Sequence, residues 1–268
     1  MRIWPLTNIA SYLMAICSAS VFCHTAHAAM YVYPMETTVG ENGTSQIRVI
    51  SHNDEVEFVK IKLKKITNPG TRNEREVEFD MSDADQIIVA PQKIALSAGG
   101  ERVVRIVSMS PPEKETTWRV YFEGVSETAF NSFSDKKNQE EKATKVGVNI
   151  IWGALVHVAP RKAEASLKYI PSTGSVINDG TIRIPVTEVG VCNPAGECSW
   201  KKKALTVYPE SETSIQEMHF SPSNTYKIKY FNWTKNRTEE TELPASQADY
   251  PPFQLKGNVN LKGNLNEK

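Results

Sequence analysis

Short stretches of alternating apolar and polar residues, separated by Gly, Pro, Asn and Asp, recur along almost the whole chain, and helical periodicity is scarce. Tyr31-Val32-Tyr33 opens the series. Residues 46–51 alternate, and residues 57–66 do so more strictly, with Phe58, Ile61 and Leu63 competing for a core while the lysines between them face water. Asn68-Pro69-Gly70 forces a turn. Strands are predicted next at 86–90, 92–96, 102–107 and 117–122, divided by Ser97-Ala98-Gly99-Gly100 and by Pro111-Pro112. This spacing predicts an all-β sandwich of immunoglobulin type over residues 29–160. A second set of strands, at 166–170, 181–186, 204–208 and 225–231, predicts a smaller β domain over 161–244. Residues 245–268, with Pro251-Pro252 and repeated Lys-Gly-Asn, read as a polar, loosely ordered tail.

One segment departs from the alternation. A charged stretch over 126–144 reads as a mobile loop. It leads into residues 146–159, where Val146, Val148, Ile150 and Trp152 share one face while Ile151 and Leu155 take the other. Apolar residues on both faces of a strand mean that both faces are covered. One cover is the domain's own core. The other is either a partner polypeptide completing a sheet or a neighbouring loop over an ordinary central strand.

Residues 1–28 carry the pattern of an export signal: Arg2, an apolar run over 9–16, and Ala26-His27-Ala28 as a cleavage site. Its removal takes Cys17 and Cys23 and leaves Cys192 and Cys198 around the turn Asn193-Pro194-Ala195-Gly196-Glu197. In an oxidising compartment that pair reads as a disulfide pinning a hairpin. A two-cysteine metal site is the alternative, but no further Cys or paired His lies near it. The chain holds 31 basic and 31 acidic residues, so its formal charge of zero gives no broad attraction to nucleic acid. His52, His157 and His219 are scattered, and each reads as a surface or packed residue. No phosphate loop, nucleophile elbow or zinc-protease helix occurs, so neither an enzyme nor a cofactor or metal is predicted.

Several stretches, taken in order, resemble a known family. They are Tyr31-Val32-Tyr33-Pro34, the strand from Ile47 to Ser51, Lys65-Ile66-Thr67-Asn68-Pro69-Gly70-Thr71, the run from Ala90 to Gly100 with Val104-Arg105, Trp118-Arg119-Val120-Tyr121-Phe122-Glu123, and Val148-Asn149-Ile150-Ile151-Trp152-Gly153-Ala154-Leu155. Together they look like the periplasmic chaperones of chaperone–usher pili, nearest the alternate group serving colonisation-factor fimbriae. The resemblance implies two immunoglobulin-like β-sandwich domains with an inter-domain cleft, no catalysis and no cofactor. It implies pilin subunits, major and minor or adhesin, as clients, and an outer-membrane usher as the recipient. It places the donated side chains at Val146, Val148 and Ile150, with Trp152 next in the series. A structural pilus subunit or adhesin built from the same domains is the alternative, and a secreted β-sandwich hydrolase is a third class.

The better-known branch of that family anchors a client carboxylate through two bases, but this chain has Met30 and Leu155 at the matching positions. A relocated anchor is expected near the cleft, at Arg119 first and Arg48 second. Free protein is expected to protect its apolar edge, by self-association or under the preceding loop. Amino-terminal sequencing of exported protein should begin at Ala29-Met30-Tyr31; a sequence starting upstream of Ala29 would refute the cleavage assignment.

Overall fold

The computed structural model describes residues 30–78, 87–132, 150–221 and 223–246. Strands β1 (Met30–Tyr33), β2 (Glu36–Val39), β3 (Thr44–Ser51), β4 (Glu57–Thr67), β5 (Arg75–Val77), β6 (Ile87–Ala90), β7 (Lys93–Leu96), β8 (Glu101–Ser108), β9 (Thr116–Val125) and β10 (Ile151–Val158) build a first sandwich. One sheet runs β1-β3-β8-β6 and the other β2-β10-β9-β4-β5, with β7 also paired to β4. The alternation seen in the sequence becomes a core shared by both sheets. Ile47 and Val49, Val104 and Ile106, Trp118, Val120 and Phe122, and Ala154, Val156 and Val158 all point into it.

The strand with Trp118 and Arg119 runs antiparallel to β10, pairing Leu155 with Arg119 and Val158 with Thr116. Phe58 does not join Ile61 in the core. A period of two puts Val59 and Ile61 inward and turns Phe58 out, where its ring lies 4.9 Å from that of Phe130. Phe130 belongs to a five-residue helix, α1 (Glu127–Asn131), capped by Ser126. The predicted loop therefore begins as a helical turn, too short to register as periodicity. Lys93 Nζ donates to the carbonyls of Phe130 and Ser132 at 2.7 and 3.1 Å, fixing the end of that turn to β7. Residues 133–149, with Val146 and Val148, lie outside the described residues.

Strands β11 (Leu167–Ile170), β12 (Ser175–Asn178), β13 (Ile184–Cys192), β14 (Cys198–Val207), β15 (Glu212–Ser214), β16 (Thr225–Asn232) and β17 (Arg237–Glu242) build a second sandwich. Its sheets run β11-β12-β15 and β14-β13-β16-β17. It has a separate core around Val176, Val189, Val207, Tyr226, Ile228 and Leu243. Cys192 and Cys198 are disulfide-bonded across the β13–β14 hairpin. The fold is all-β in two sandwiches, matching the fold class read from the sequence.

A buried asparagine holds the second sandwich where it meets the first. Asn178 is fully buried; its Nδ2 donates to the carbonyls of Ile182 and Val207, both at 2.8 Å, and its Oδ1 accepts from the Gly180 N–H at 2.9 Å. It thereby shapes the chain running into Arg183. Asn178→Ala strands three backbone groups, each costing about 1–3 kcal/mol when left without a partner. Urea unfolding of that variant should show the second sandwich destabilised by roughly 3 kcal/mol or more. A change under about 1 kcal/mol would show that water replaces the side chain.

Candidate functional site

The two hydrogen-bonding edges of β10 are used unequally. One edge pairs with β9 along the whole strand, from Ile151 opposite Glu123 to Val158 opposite Thr116. The other pairs with β2, in parallel, only from Leu155 to Val158. The Leu155 N–H donates to the Met35 carbonyl at 2.8 Å and the Ala159 N–H to the Val39 carbonyl at 2.9 Å. Backbone polar groups alternate sides with a period of two, so the N–H and C=O of Ile151 and Gly153 point to the same edge as those of Leu155. Among the described residues no strand pairs with them there.

Side chains show the same transition along the strand. Val158, Val156 and Ala154 are buried in the core, and Trp152 packs against it half-buried. Ile150, next on that face, is 45% exposed, so the domain's own core ends between them. Ile151, on the opposite face, is 50% exposed. Of the four residues singled out in the sequence as client-binding, Ile150 is thus open, Trp152 is half-buried against the core with its indole N–H unpartnered, and Val146 and Val148 lie outside the described residues.

Where β2 takes over, the two domains meet in a polar cluster that the sequence did not reveal. Glu115 and His157 have fully buried side chains, and that of Arg183, from the second domain, is 8% exposed. Arg183 Nη1 donates to Glu115 Oε1 at 2.9 Å, and its Nη2 reaches Thr38 Oγ1 at 3.3 Å and Glu36 Oε1 at 3.5 Å. The Arg183 guanidinium also lies over the Trp233 ring at 5.1 Å. His157 sits between the carboxylates, Nε2 3.3 Å from Glu36 and Nδ1 3.5 Å from Glu115, with Thr117 Oγ1 3.2 Å from Nδ1. The approach to Glu36 is close enough for an ion pair but off-line for a hydrogen bond. Tyr208 covers His157 at 6.0 Å between ring centres. The available signal was a charge inside an apolar run, Ile182-Arg183-Ile184, but that pattern equally describes a half-exposed strand.

The two arginines proposed as an anchor do not converge. Arg48 is on β3, in the other sheet, 3.7 Å from Glu101 and stacked over Tyr33. Arg119 lies on β9 beside β10, and a Cβ on Gly153 would meet its Cδ at 3.2 Å and the Tyr121 ring at 3.1 Å. Its guanidinium is engaged by Glu76 at 2.8 Å and faces Glu74 at 3.7 Å, and the Tyr121 hydroxyl donates to the same Glu76 carboxylate. Arg119 Nε is buried without a partner. Among the described residues no group of three or more potential metal ligands occurs, and no helix is long and apolar enough to cross a membrane.

The polar contact from the His157 ring, joined by the fields of His157 and Arg183, holds Glu36 below its ordinary value of 4.5 against the opposing effect of partial burial. A lowered carboxyl pKa stabilises the fold above the unfolded value, and that stabilisation is lost as pH falls through the folded value. Thermal stability should therefore decline more steeply below pH 4.5 in wild type than in Glu36→Gln; parallel acid profiles would exclude a stabilising role for Glu36 in the inter-domain cluster.

No family model matches the chain. It is 30% identical over 205 residues to a CFA/I fimbrial subunit of Escherichia coli, covering 74% of this chain and 83% of that protein. It is 27% identical over 205 residues to a CS1 fimbrial subunit of Escherichia coli, covering 73% and 84%. Among solved structures, the class 5 fimbriae chaperone CfaA superposes with a TM-score of 0.64 at 27% identity, covering 80% of this chain and 98% of that one. A chain from the chaperone–tip adhesin complex of CFA/I fimbriae biogenesis gives a TM-score of 0.64 at 26% identity, covering 82% and 100%. With its two-sandwich fold and open strand edge, the chain belongs to the fimbrial chaperones of the chaperone–usher pathway, in the group serving CFA/I-type fimbriae.

Proposed function

We propose that the protein works in the periplasm, exported by residues 1–28, and that its two domains, 29–160 and 161–244, hold an incomplete pilus subunit for delivery to an outer-membrane usher. It is an assembly factor and not an enzyme. The observation that carries the reading is the half-used edge of β10: main-chain donors and acceptors at Ile151 and Gly153, beside Ile150 left exposed where the core stops. A client strand added there gains hydrogen bonds from the main chain and pockets for alternate side chains. Val146 and Val148 continue the parity of Ile150 and are the further residues offered to the client's core. Trp152 roots the donated strand in the chaperone.

The relative's complex with a tip adhesin supports a tip adhesin as one client; major and minor pilins would be taken by the same open edge. The likeness to chaperones disfavours the alternative of a structural pilus component. Of the two arginines, Arg119 alone lies on the sheet with the open edge, and it takes a client carboxylate only by releasing Glu76. In free protein the same edge is a site for self-association.

Burying an isoleucine contributes about 1.5–3 kcal/mol, and an aspartate in its place adds a desolvation cost. Ile150→Asp should therefore lower the client co-purified from periplasm by at least about tenfold and reduce self-association in light scattering. Wild-type protein recovered alone while pili assemble would defeat the reading.

A further inference from the structure

The half-used edge has a sharp end, and the residue that sets it belongs to the other domain. We propose that Arg183 is a positioning residue: by holding β2 against β10 it fixes where the open edge stops, and so the register at which a client strand lies. This rests on the donor-strand reading above and concerns the same edge.

A client strand lying along Ile151–Ala154 meets Met35 and Glu36, which already occupy the edge from Leu155 onward. The stop is only as firm as the hold on the start of β2. Hydrophobic burial supplies little of that hold: Val39 alone of β2 enters the core, while Glu36 and the preceding Met35 are exposed. The remaining hold is polar. Thr37 Oγ1 and Ser45 Oγ are 2.5 Å apart, His157 faces Glu36, and Arg183 reaches both Glu36 and Thr38.

Arg183 is suited to this by its fork. Nη1 is tied to the buried Glu115, the Arg183 backbone N–H donates to Glu115 Oε2 at 3.3 Å, and Trp233 closes the face of the guanidinium. That leaves Nη2 aimed at β2 from a fixed base, a geometry that a single ammonium group would not reproduce. The orientation of the second domain is thereby coupled to the length of the edge offered by the first. Because side chains alternate with a period of two, a one-residue slip would turn every client side chain to the wrong face. Loosening the start of β2 therefore frees Leu155 and lets the client advance by two residues.

Amide hydrogen exchange on the free protein tests the edge without a client. In Arg183→Met, exchange at the Leu155 amide should rise by about tenfold or more while Ala159, held near the buried Val39, changes little. The double variant Glu36→Ala, Thr38→Ala removes the same contacts from the exposed side, leaves Arg183 with Glu115, and should give the same selective rise even if Arg183→Met folds poorly. Unchanged exchange at Leu155, or an equal rise at Ala159, overturns the proposal. With the CFA/I tip adhesin co-expressed as the probe client, disulfide trapping from Ile151→Cys should move two residues along the adhesin strand in the Arg183 variant. Trapping at an unmoved position overturns the register claim. If wild type carries no client at all, the donor-strand reading fails, and the exchange measurement still decides whether Arg183 sets the edge.

Discussion

A β-strand has two edges of main-chain donors and acceptors, and a buried edge without partners costs free energy at every second residue. In β10 one edge is satisfied throughout by β9, while among the described residues the other is satisfied by β2 over only half its length. The unsatisfied half coincides with the place where the first core runs out, between Ala154 and Ile150. Both kinds of incompleteness, polar and apolar, thus fall on the same four or five residues. The proposed function rests on that coincidence, because a single added strand would correct both at once.

The rest of the molecule keeps that edge in place. Trp152, Ala154, Val156 and Val158 fix β10 to the first core, and the pairing with β9 supplies a rigid template along its back. At the other end, the chain enters the second sandwich through a cluster in which Glu115 is wholly buried and depends on Arg183. Breaking such a buried pair by removing one partner is costly, about 3–5 kcal/mol, because it leaves a charge without compensation. The domains are therefore joined by a contact that is hard to break and directional, with His157 of β10 itself among its members. Further contacts widen it: the Glu115 N–H donates to the Thr181 carbonyl at 2.8 Å, and a Cβ on Gly70 would lie 2.9 Å from the Tyr208 ring. Gly70 also has φ of +70°, so the turn it makes with Asn68 brings the backbone close to the second domain in a way a larger residue would obstruct.

Much of the architecture was legible in the chain. Residues 46–51, 102–107 and 117–122 each carry the short apolar-rich pattern of a strand, and each lies within one. The Cys192–Cys198 pair closes the hairpin that its turn residues implied. Elements poor in apolar residues were not legible: β2 (Glu36-Thr37-Thr38-Val39) and β5 (Arg75-Glu76-Val77) hold one each, β15 (Glu212-Thr213-Ser214) none, and the five residues of α1 are too few to display a helical period. Phe58 is as apolar as its competitors for the core, but on a strand with Val59 and Ile61 inside, position 58 must face outward.

The sequence by itself determined that the chain is all-β, that it forms two sandwiches, and that the segment leading to Pro160 carries apolar residues on both faces. Those properties are local, written in alternation and turn chemistry along contiguous residues. Only the tertiary structure decided which edge of that strand lacks a partner among the described residues, that β2 closes the last part of it, and that Arg183, Glu115, Glu36 and His157 meet between the domains. The partners in that cluster lie up to 147 residues apart, and no spacing rule links residues brought together by the docking of one domain on another.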